Sequence, residues 1–310
     1  MTDARATWEP EPSHDFENHR AHLMRLAYRM LGSVAEAEDA VQDSYLRWHN
    51  QNRDNVDDPR AYLSRIVTRL CLDRLKQART QREVYVGPWL PEPLVEEWSA
   101  TTLPPQHIEQ DVSTALMVAL ERLSPLERAA FILHDIFEME FEDVATTLGR
   151  TEAACRQLAS RARSHVVTSR PRFNLDQEEG VRLTEAFFEA SRSGDAANLQ
   201  ALLMDAARLH SDGGGRKRAA LRVIEGARNI SRFFAGLVRK GFAPKPIWTR
   251  QVRIDGLPGI LSVERDGSLQ TTAIEVCDGR IQAIFVVRNP DKLRHLEAML
   301  PAPVARQVVR

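Results

Sequence analysis

Arginines at helical spacing carry most of the chemistry this sequence offers. Between Thr151 and Arg163, the side chains of Glu152, Arg156, Gln157, Arg161 and Arg163 recur on the open side of one predicted helix, around Ala154, Leu158 and Ala162 as its buried side. Thr151 is placed to cap it. Gly149 makes the turn before it, a helix holding Phe141, Val144, Ala145 and Leu148 precedes that turn, and another holding Leu126, Ala130, Ile132 and Leu133 comes earlier still. Such a trio reads as a helix-turn-helix, whose last helix would hydrogen-bond base edges and phosphates in a major groove. An arginine-rich solvated helix of an ordinary bundle would carry the same residues.

A second constellation lies nearer the amino terminus. Asp39, Gln42 and Asp43 fall three and four residues apart, on one face of a predicted helix whose other face holds Ala37, Ala40, Val41, Tyr45 and Trp48. Arg60, Arg65, Arg69 and Arg74 follow at helical spacing, and a polar loop with Asn50, Asn52 and Asn55 lies between. Arginines supply phosphate affinity, whereas asparagine amides can read an unstacked base or merely stabilise a turn.

Other candidates are sparser. His210 and Asp212, two apart on a strand, could face one cavity as acid and base. Phe187, Phe188, Phe233, Phe234 and Trp248 could line a pocket for an apolar ligand, although their spacing fits plain core equally. His19 and His22 share a helix face but have no ligands to complete a metal site. Cys71, Cys155 and Cys277 form no CxxC pair and are expected to be reduced and packed. No metal and no cofactor is expected.

Positioning these groups requires several elements. Residues 14–82 read as a helical bundle: Gly32 breaks the first helix, Ser33 caps the second, and Asp57-Asp58-Pro59 starts a third running to about Lys76. Residues 83–107 contain five prolines and suit an extended linker. Residues 108–171 hold the helix-turn-helix. Residues 175–300 change pattern, with helices near Leu175 to Ser193 and Ile224 to Val238. Strands are predicted at Ile247 to Ile254, Gly259 to Arg265, Thr271 to Cys277 and Arg280 to Val287, joined at Asp255-Gly256, Asp266-Gly267 and Asp278-Gly279. A tail of 301–310 completes a multidomain chain: two all-α helical modules and one α+β domain.

The stretches Ala35 to Trp48 and Asp58 to Lys76 resemble region 2 of extracytoplasmic-function (ECF) sigma factors of the sigma-70 family, while Leu123 to Arg128 and Gly149-Arg150-Thr151 resemble region 4. Three further signatures, Trp89-Leu90-Pro91-Glu92-Pro93, Asp212-Gly213-Gly214-Gly215-Arg216 and Asn289-Pro290-Asp291-Lys292-Leu293, resemble the subgroup with a SnoaL-like carboxy-terminal extension, Arg216 standing where that subgroup often has lysine. The resemblance implies binding to core RNA polymerase through the acidic helix and to promoter DNA, at the −10 element by the loop and basic helix and at the −35 element by the helix-turn-helix. It also implies regulation in cis by the extension, with no dedicated anti-sigma factor required and no enzymatic activity. A ketosteroid-isomerase-like enzyme or a small-molecule sensor is the alternative for that extension.

Composition sets the remaining bounds. The formal net charge of −1 over 310 residues says nothing for nucleic acid, so the local polarisation of charge carries that reading. No run approaches the roughly 18 apolar residues of a membrane span, and the amino terminus is polar without an apolar core, so no membrane contact and a cytoplasmic location are expected.

Overall fold

The computed structural model describes residues 12–50, 56–82, 85–97, 113–166, 177–243 and 245–308. They fall into two compact units, the first holding residues 12–50, 56–77 and 123–163, the second the rest.

The first unit is helical. Helix α1 (Pro12–Leu31) ends at Gly32, whose φ of +71° suits a residue without a Cβ. Ser33 then caps α2 (Val34–His49), its hydroxyl accepting from the Glu36 amide at 3.2 Å, as expected. Asp58 accepts from the Ala61 amide at 3.0 Å and starts α3 (Pro59–Arg82), which runs six residues past the expected end. Leu23, Leu26, Ala27, Met30, Ala37, Ala40, Val41, Trp48, Leu63, Val67 and Cys71 form the buried stripes of these helices. Each such fully buried large side chain contributes about 1.5–3 kcal/mol.

The helix-turn-helix follows. Ser124 and Glu127 make a reciprocal capping box at α5 (Pro125–Phe131), which widens into a π-helical turn over Ile132–Ile136. Helix α6 (Phe141–Leu148) ends at left-handed Gly149, and the Thr151 hydroxyl accepts from the Ala154 amide at 3.3 Å to begin α7 (Glu152–Val166). The inward stripe of α7 is Cys155, Ala159, Ala162 and Val166, while Ala154 and Leu158 are only half-buried. Ala162 is thus buried as expected, whereas in the first two turns the inward positions are Cys155 and Ala159, one residue on from Ala154 and Leu158.

The second unit is α+β, the class expected of a SnoaL-like extension. Among the described residues its sheet has seven strands, in the order β1-β4-β5-β6-β7-β2-β3. The expected antiparallel meander is present as β4 (Trp248–Ile254), β5 (Leu257–Val263), β6 (Leu269–Cys277) and β7 (Arg280–Val287). Asp255-Gly256 and Asp278-Gly279 both have positive φ at each turn residue, the geometry of tight hairpin turns. Two further strands lie outside the expected set, and a third was expected only around His210 and Asp212. The linker supplies β1 (Val95–Glu97), antiparallel to β4. Strand β2 (Leu203–Asp212) runs parallel to β7, and β3 (Ile224–Glu225) pairs with it at the edge.

The two faces of this sheet are covered differently. Helices α8 (Gln177–Ser193), α9 (Ala196–Leu202) and α10 (Ala227–Arg239) lie on one face, burying Phe187, Leu199, Leu209, Ile230, Ile274 and Ile284. Leu90 of the linker, Ala115 of α4 (Thr114–Leu120), and Leu293, Leu296 and Leu300 near the carboxy terminus pack against Val252, Leu261, Ala273 and Phe285 on the other. Cys71 and Cys155 are buried as expected, but Cys277 is only half-buried because it ends β6 at the hairpin. No helix among the described residues is long and apolar enough to cross a membrane.

Candidate functional site

The acidic face of α2 and the basic helix α3 meet through one arginine. Arg74 Nη2 lies 2.8 Å from Asp43 Oδ2, its Nη1 is 3.8 Å from Asp39 Oδ2, and Nη1 also donates to the Glu36 carbonyl at 2.8 Å. Gln42 and Asp39 remain exposed on that face. Arg60 and Arg69 are exposed and Arg65 is half-buried. Arg60 Nη2 approaches His22 Nδ1 at 3.3 Å, and because arginine can only donate, Nδ1 accepts and Nε2 carries the proton towards Ser64 Oγ at 3.0 Å. Burial, with the nearby charges of Arg60 and Arg25, pushes the His22 pKa down to about 4, which keeps the ring neutral. Asn50 is exposed just beyond the end of α2, and Asn52 and Asn55 lie outside the described residues.

On α7, Thr151, Glu152, Arg156, Gln157 and Arg161 are exposed together. Arg156 is steadied by Glu152 at 2.7 Å and lies 4.7 Å over the Phe141 ring. Arg161 approaches Glu127 at 3.7 Å. Arg163 points elsewhere, its Nε 2.6 Å from Asp135 Oδ1, so it braces α7 against the π-helical turn.

The three signature segments of the second unit converge on Asp212, whose carboxylate is wholly buried at the end of β2. Its Oδ1 accepts from the Tyr85 hydroxyl at 2.6 Å and the Gly214 amide at 2.9 Å; Oδ2 accepts from the Leu90 amide at 2.9 Å and the Lys292 ammonium at 2.7 Å. Lys292 also donates to the Leu90 carbonyl and sits 4.0 Å over the Trp89 ring. Asn289 donates to the Tyr85 hydroxyl at 2.9 Å, while Arg216 pairs with Asp291 at 2.9 Å. The buried charge is therefore compensated by one cation and three neutral donors, the condition for keeping a carboxylate out of water. Pro91, Pro93 and Leu293 are buried and Glu92 and Pro290 half-buried around this clasp, and Gly213 and Gly215 complete its tight loop. The extended segment continues into β1 through the Leu94 amide, which donates to Asp255 Oδ1 at 3.0 Å, and His295 Nε2 lies 2.9 Å from the Pro93 carbonyl.

Tyr85, Asp255 and His295 are parts of this site that sequence reasoning missed. Tyr85 precedes the proline-rich signature and bears no motif; burial and then the bond to Asp212 raise its hydroxyl pKa. Asp255 was read only as a turn residue, yet its carboxylate holds both Leu94 and Thr114.

The expected acid–base pair is corrected by strand parity. His210 and Asp212 share one face of β2, but the aromatic cavity lies on the opposite face, reached by Leu209 and Ser211. His210 instead stacks on Phe285 at 5.2 Å, and Asp212 is consumed by the clasp. Phe187, Phe188, Phe233 and Phe234 do line that cavity; Trp248 does not, because it packs against the core on the other face of the sheet. Among the described residues, no group of histidine, cysteine and carboxylate side chains has the arrangement of a metal site.

Two segments of the chain match known families: residues 15–81 match Sigma-70 region 2, and residues 113–166 match Sigma-70, region 4. The chain belongs to the ECF RNA polymerase sigma factors, initiation factors rather than enzymes, which direct core RNA polymerase to promoters. Within that family it is similar to the ECF RNA polymerase sigma factor SigJ of Mycobacterium tuberculosis, with 39% identity over 90% of this chain and 92% of SigJ. The probable ECF RNA polymerase sigma factor SigI of the same species is 32% identical over 91% of this chain and 94% of its own length. The crystal structure of M. tuberculosis SigJ aligns with a TM-score of 0.73 at 36% identity, covering 91% of this chain and 98% of that one.

Proposed function

We propose that the α+β unit governs initiation in cis by holding the segment that joins the two sigma regions, without a separate anti-sigma protein. The observation that supports this most directly is the convergence of Tyr85, Leu90, Gly214 and Lys292 on the Asp212 carboxylate, with Asn289 donating to the Tyr85 hydroxyl. Residues 85–97 lie between region 2 and region 4 in sequence, so whatever fixes them limits the freedom of both. In this reading the clasp restrains the two regions until polymerase or another signal opens it, and no catalysis is involved.

Asp39, Gln42 and Asp43 then form the polymerase-binding face. Asn50, Asn52, Asn55, Arg60, Arg65, Arg69 and Arg74 act at the −10 element, and Thr151, Glu152, Arg156, Gln157 and Arg161 at the −35 element, with Arg163 serving that element by bracing α7 through Asp135. Exposure of most of these side chains, and the pre-ordering of Arg156 by Glu152, favours the assignment.

Run-off transcription with core polymerase tests it. The Asp212→Ala/Lys292→Met double variant removes both buried charges together and should raise promoter output several-fold, with lost hydrogen-exchange protection at the Leu90 amide. Unchanged output despite that lost protection would overturn the proposal.

A further inference from the structure

The second unit holds a half-open cavity of about 680 Å³, within the range of about 300–1,000 Å³ typical of small-molecule sites. Its apolar wall is Phe187 and Phe188 of α8 with Phe233, Phe234 and Leu237 of α10. This wall is under-packed for a core: of the five, only Phe187 is buried. The carboxy-terminal half of α10 therefore presents an apolar face with too few protein neighbours. Phe242 stands at the cavity 51% exposed, an apolar ring with no core to enter.

The polar wall carries a charge excess. Arg192, Arg216, Lys217, Arg218, Arg265 and Arg288 line it against only Glu264 and Asp266. Some of these charges are spent internally: Arg192 makes a two-bond pair with buried Glu264 at 2.6 and 2.7 Å, Arg216 pairs with Asp291, and Arg288 lies 3.7 Å from Asp266. Lys217 and Arg218 make no ion pair among the described residues, and the Arg218 guanidinium is parked 4.2 Å over the Phe242 ring. Lys217, Arg218 and Arg265 thus adjoin an unfilled apolar wall with no carboxylate at ion-pair distance, although Lys217 is near enough to Asp266 to help hold its carboxyl below the usual range.

From this juxtaposition we infer that the cavity binds an amphipathic monocarboxylate, its apolar body among Phe188, Phe233, Phe234 and Leu237 and its carboxylate between Lys217 and Arg218. Burial of the body supplies affinity, and the two cations select the anionic head by charge-assisted hydrogen bonds. The loop bearing both cations begins at Asp212, so the head group would sit five to six residues along the chain from the carboxylate that holds the linker. Binding itself does not depend on the linker's regulatory role.

The test titrates the full-length protein with a fluorescent long-chain carboxylate, cis-parinaric acid, and with its methyl ester, below the concentration at which either self-associates. The acid should bind saturably and about tenfold more tightly than the ester. Lys217→Glu/Arg218→Glu should abolish that preference while leaving ester binding unchanged, and Leu237→Trp, which fills the cavity, should weaken both. Thermal unfolding of each variant checks its fold, and the surface pair alone decides the head-group assignment if the tryptophan variant fails to fold. Equal affinity for acid and ester, an unchanged preference in the charge-reversed protein, or no saturable binding overturns the proposal. Because the readout is binding, a negative transcription result for the clasp leaves this outcome distinct.

Discussion

Gly214 and Asn289 interlock: a Cβ built on the glycine would lie 2.3 Å from the asparagine Nδ2. The contact joins two signature segments far apart in the chain, and it leaves the Asn289 amide aimed at the Tyr85 hydroxyl at 2.9 Å. The glycine run thus permits one loop to carry the Asp212 carboxylate, admit Asn289 and pass Val86 of the linker, which a Cβ at Gly215 would meet at 3.3 Å.

Substitutions in that run, set against one at Gly149, should separate backbone strain from steric conflict. Gly149→Ala, at φ +62° with open space around it, should cost about 1–2 kcal/mol from left-handed backbone alone. Gly214→Ala, at φ +59°, adds displacement of the Asn289 side chain and should cost more. In Gly213→Ala the new Cβ would lie 2.1 Å from the Lys217 carbonyl, which cannot rotate away, and the expected loss is about 3 kcal/mol or more. Urea unfolding followed by circular dichroism gives the order; equal losses at 149 and 213 would refute it.

Breaking the buried ion pair from one side should be worse than removing it. Lys292→Met leaves the Asp212 carboxylate buried with only neutral donors and should destabilise the second unit by about 3–5 kcal/mol. Adding Asp212→Ala should recover part of that loss. A double-mutant cycle on the unfolding midpoint that shows simple additivity would exclude this coupling.

Burial raises the Glu275 pKa from 4.5 to about 7, with Arg208 opposing, so the native state holds a proton that the unfolded chain releases. Its contribution therefore falls as pH rises from about 4.5 through about 7. His210, beside it on the same face with Arg122 and Arg208 nearby, has a pKa lowered from 6.5 to about 4 by burial, and its contribution rises with pH over that window. The two trends oppose each other between about pH 4.5 and 6.5. Glu275→Gln should match the parent protein near pH 4 and exceed its stability by an amount that grows up to about pH 7. A pH-independent difference in unfolding midpoint would count against this assignment.

Arg69 and Arg74 lie five residues apart on α3 but have different surroundings. In holoenzyme binding to promoter DNA, Arg69→Ala should lower the log–log salt slope by about 1, the signature of one lost phosphate contact. Arg74→Ala should change that slope less, because Asp43 and the Glu36 carbonyl already engage its guanidinium. Fluorescence anisotropy across a salt series distinguishes them.

The helical modules and the four-strand meander were legible in the sequence because caps and Asp-Gly turns are local signals, as Ser33, Thr151 and Asp278-Gly279 show. Strand β2 was legible only at its end, around His210 and Asp212, since it follows α9 directly with no turn residue to announce its start. Strand β1 was hidden because prolines mark extended chain without saying whether a partner edge exists. Strand parity placed His210 and Asp212 on one face but could not say which face was hollow. The three signature segments were legible individually; their meeting at one carboxylate depends on the pairing of β2 with β7, which no local pattern encodes.

The linker strand also has a bearing on solubility. Val95–Glu97 caps the open edge of β4 at Ile254, Arg253 and Val252. Were the linker to leave, that stretch would present unpaired backbone donors and acceptors, the kind of edge that recruits a strand from another chain. An opened protein would therefore be prone to self-association unless another surface covered β4, so release of the linker and protection of that edge must be coordinated.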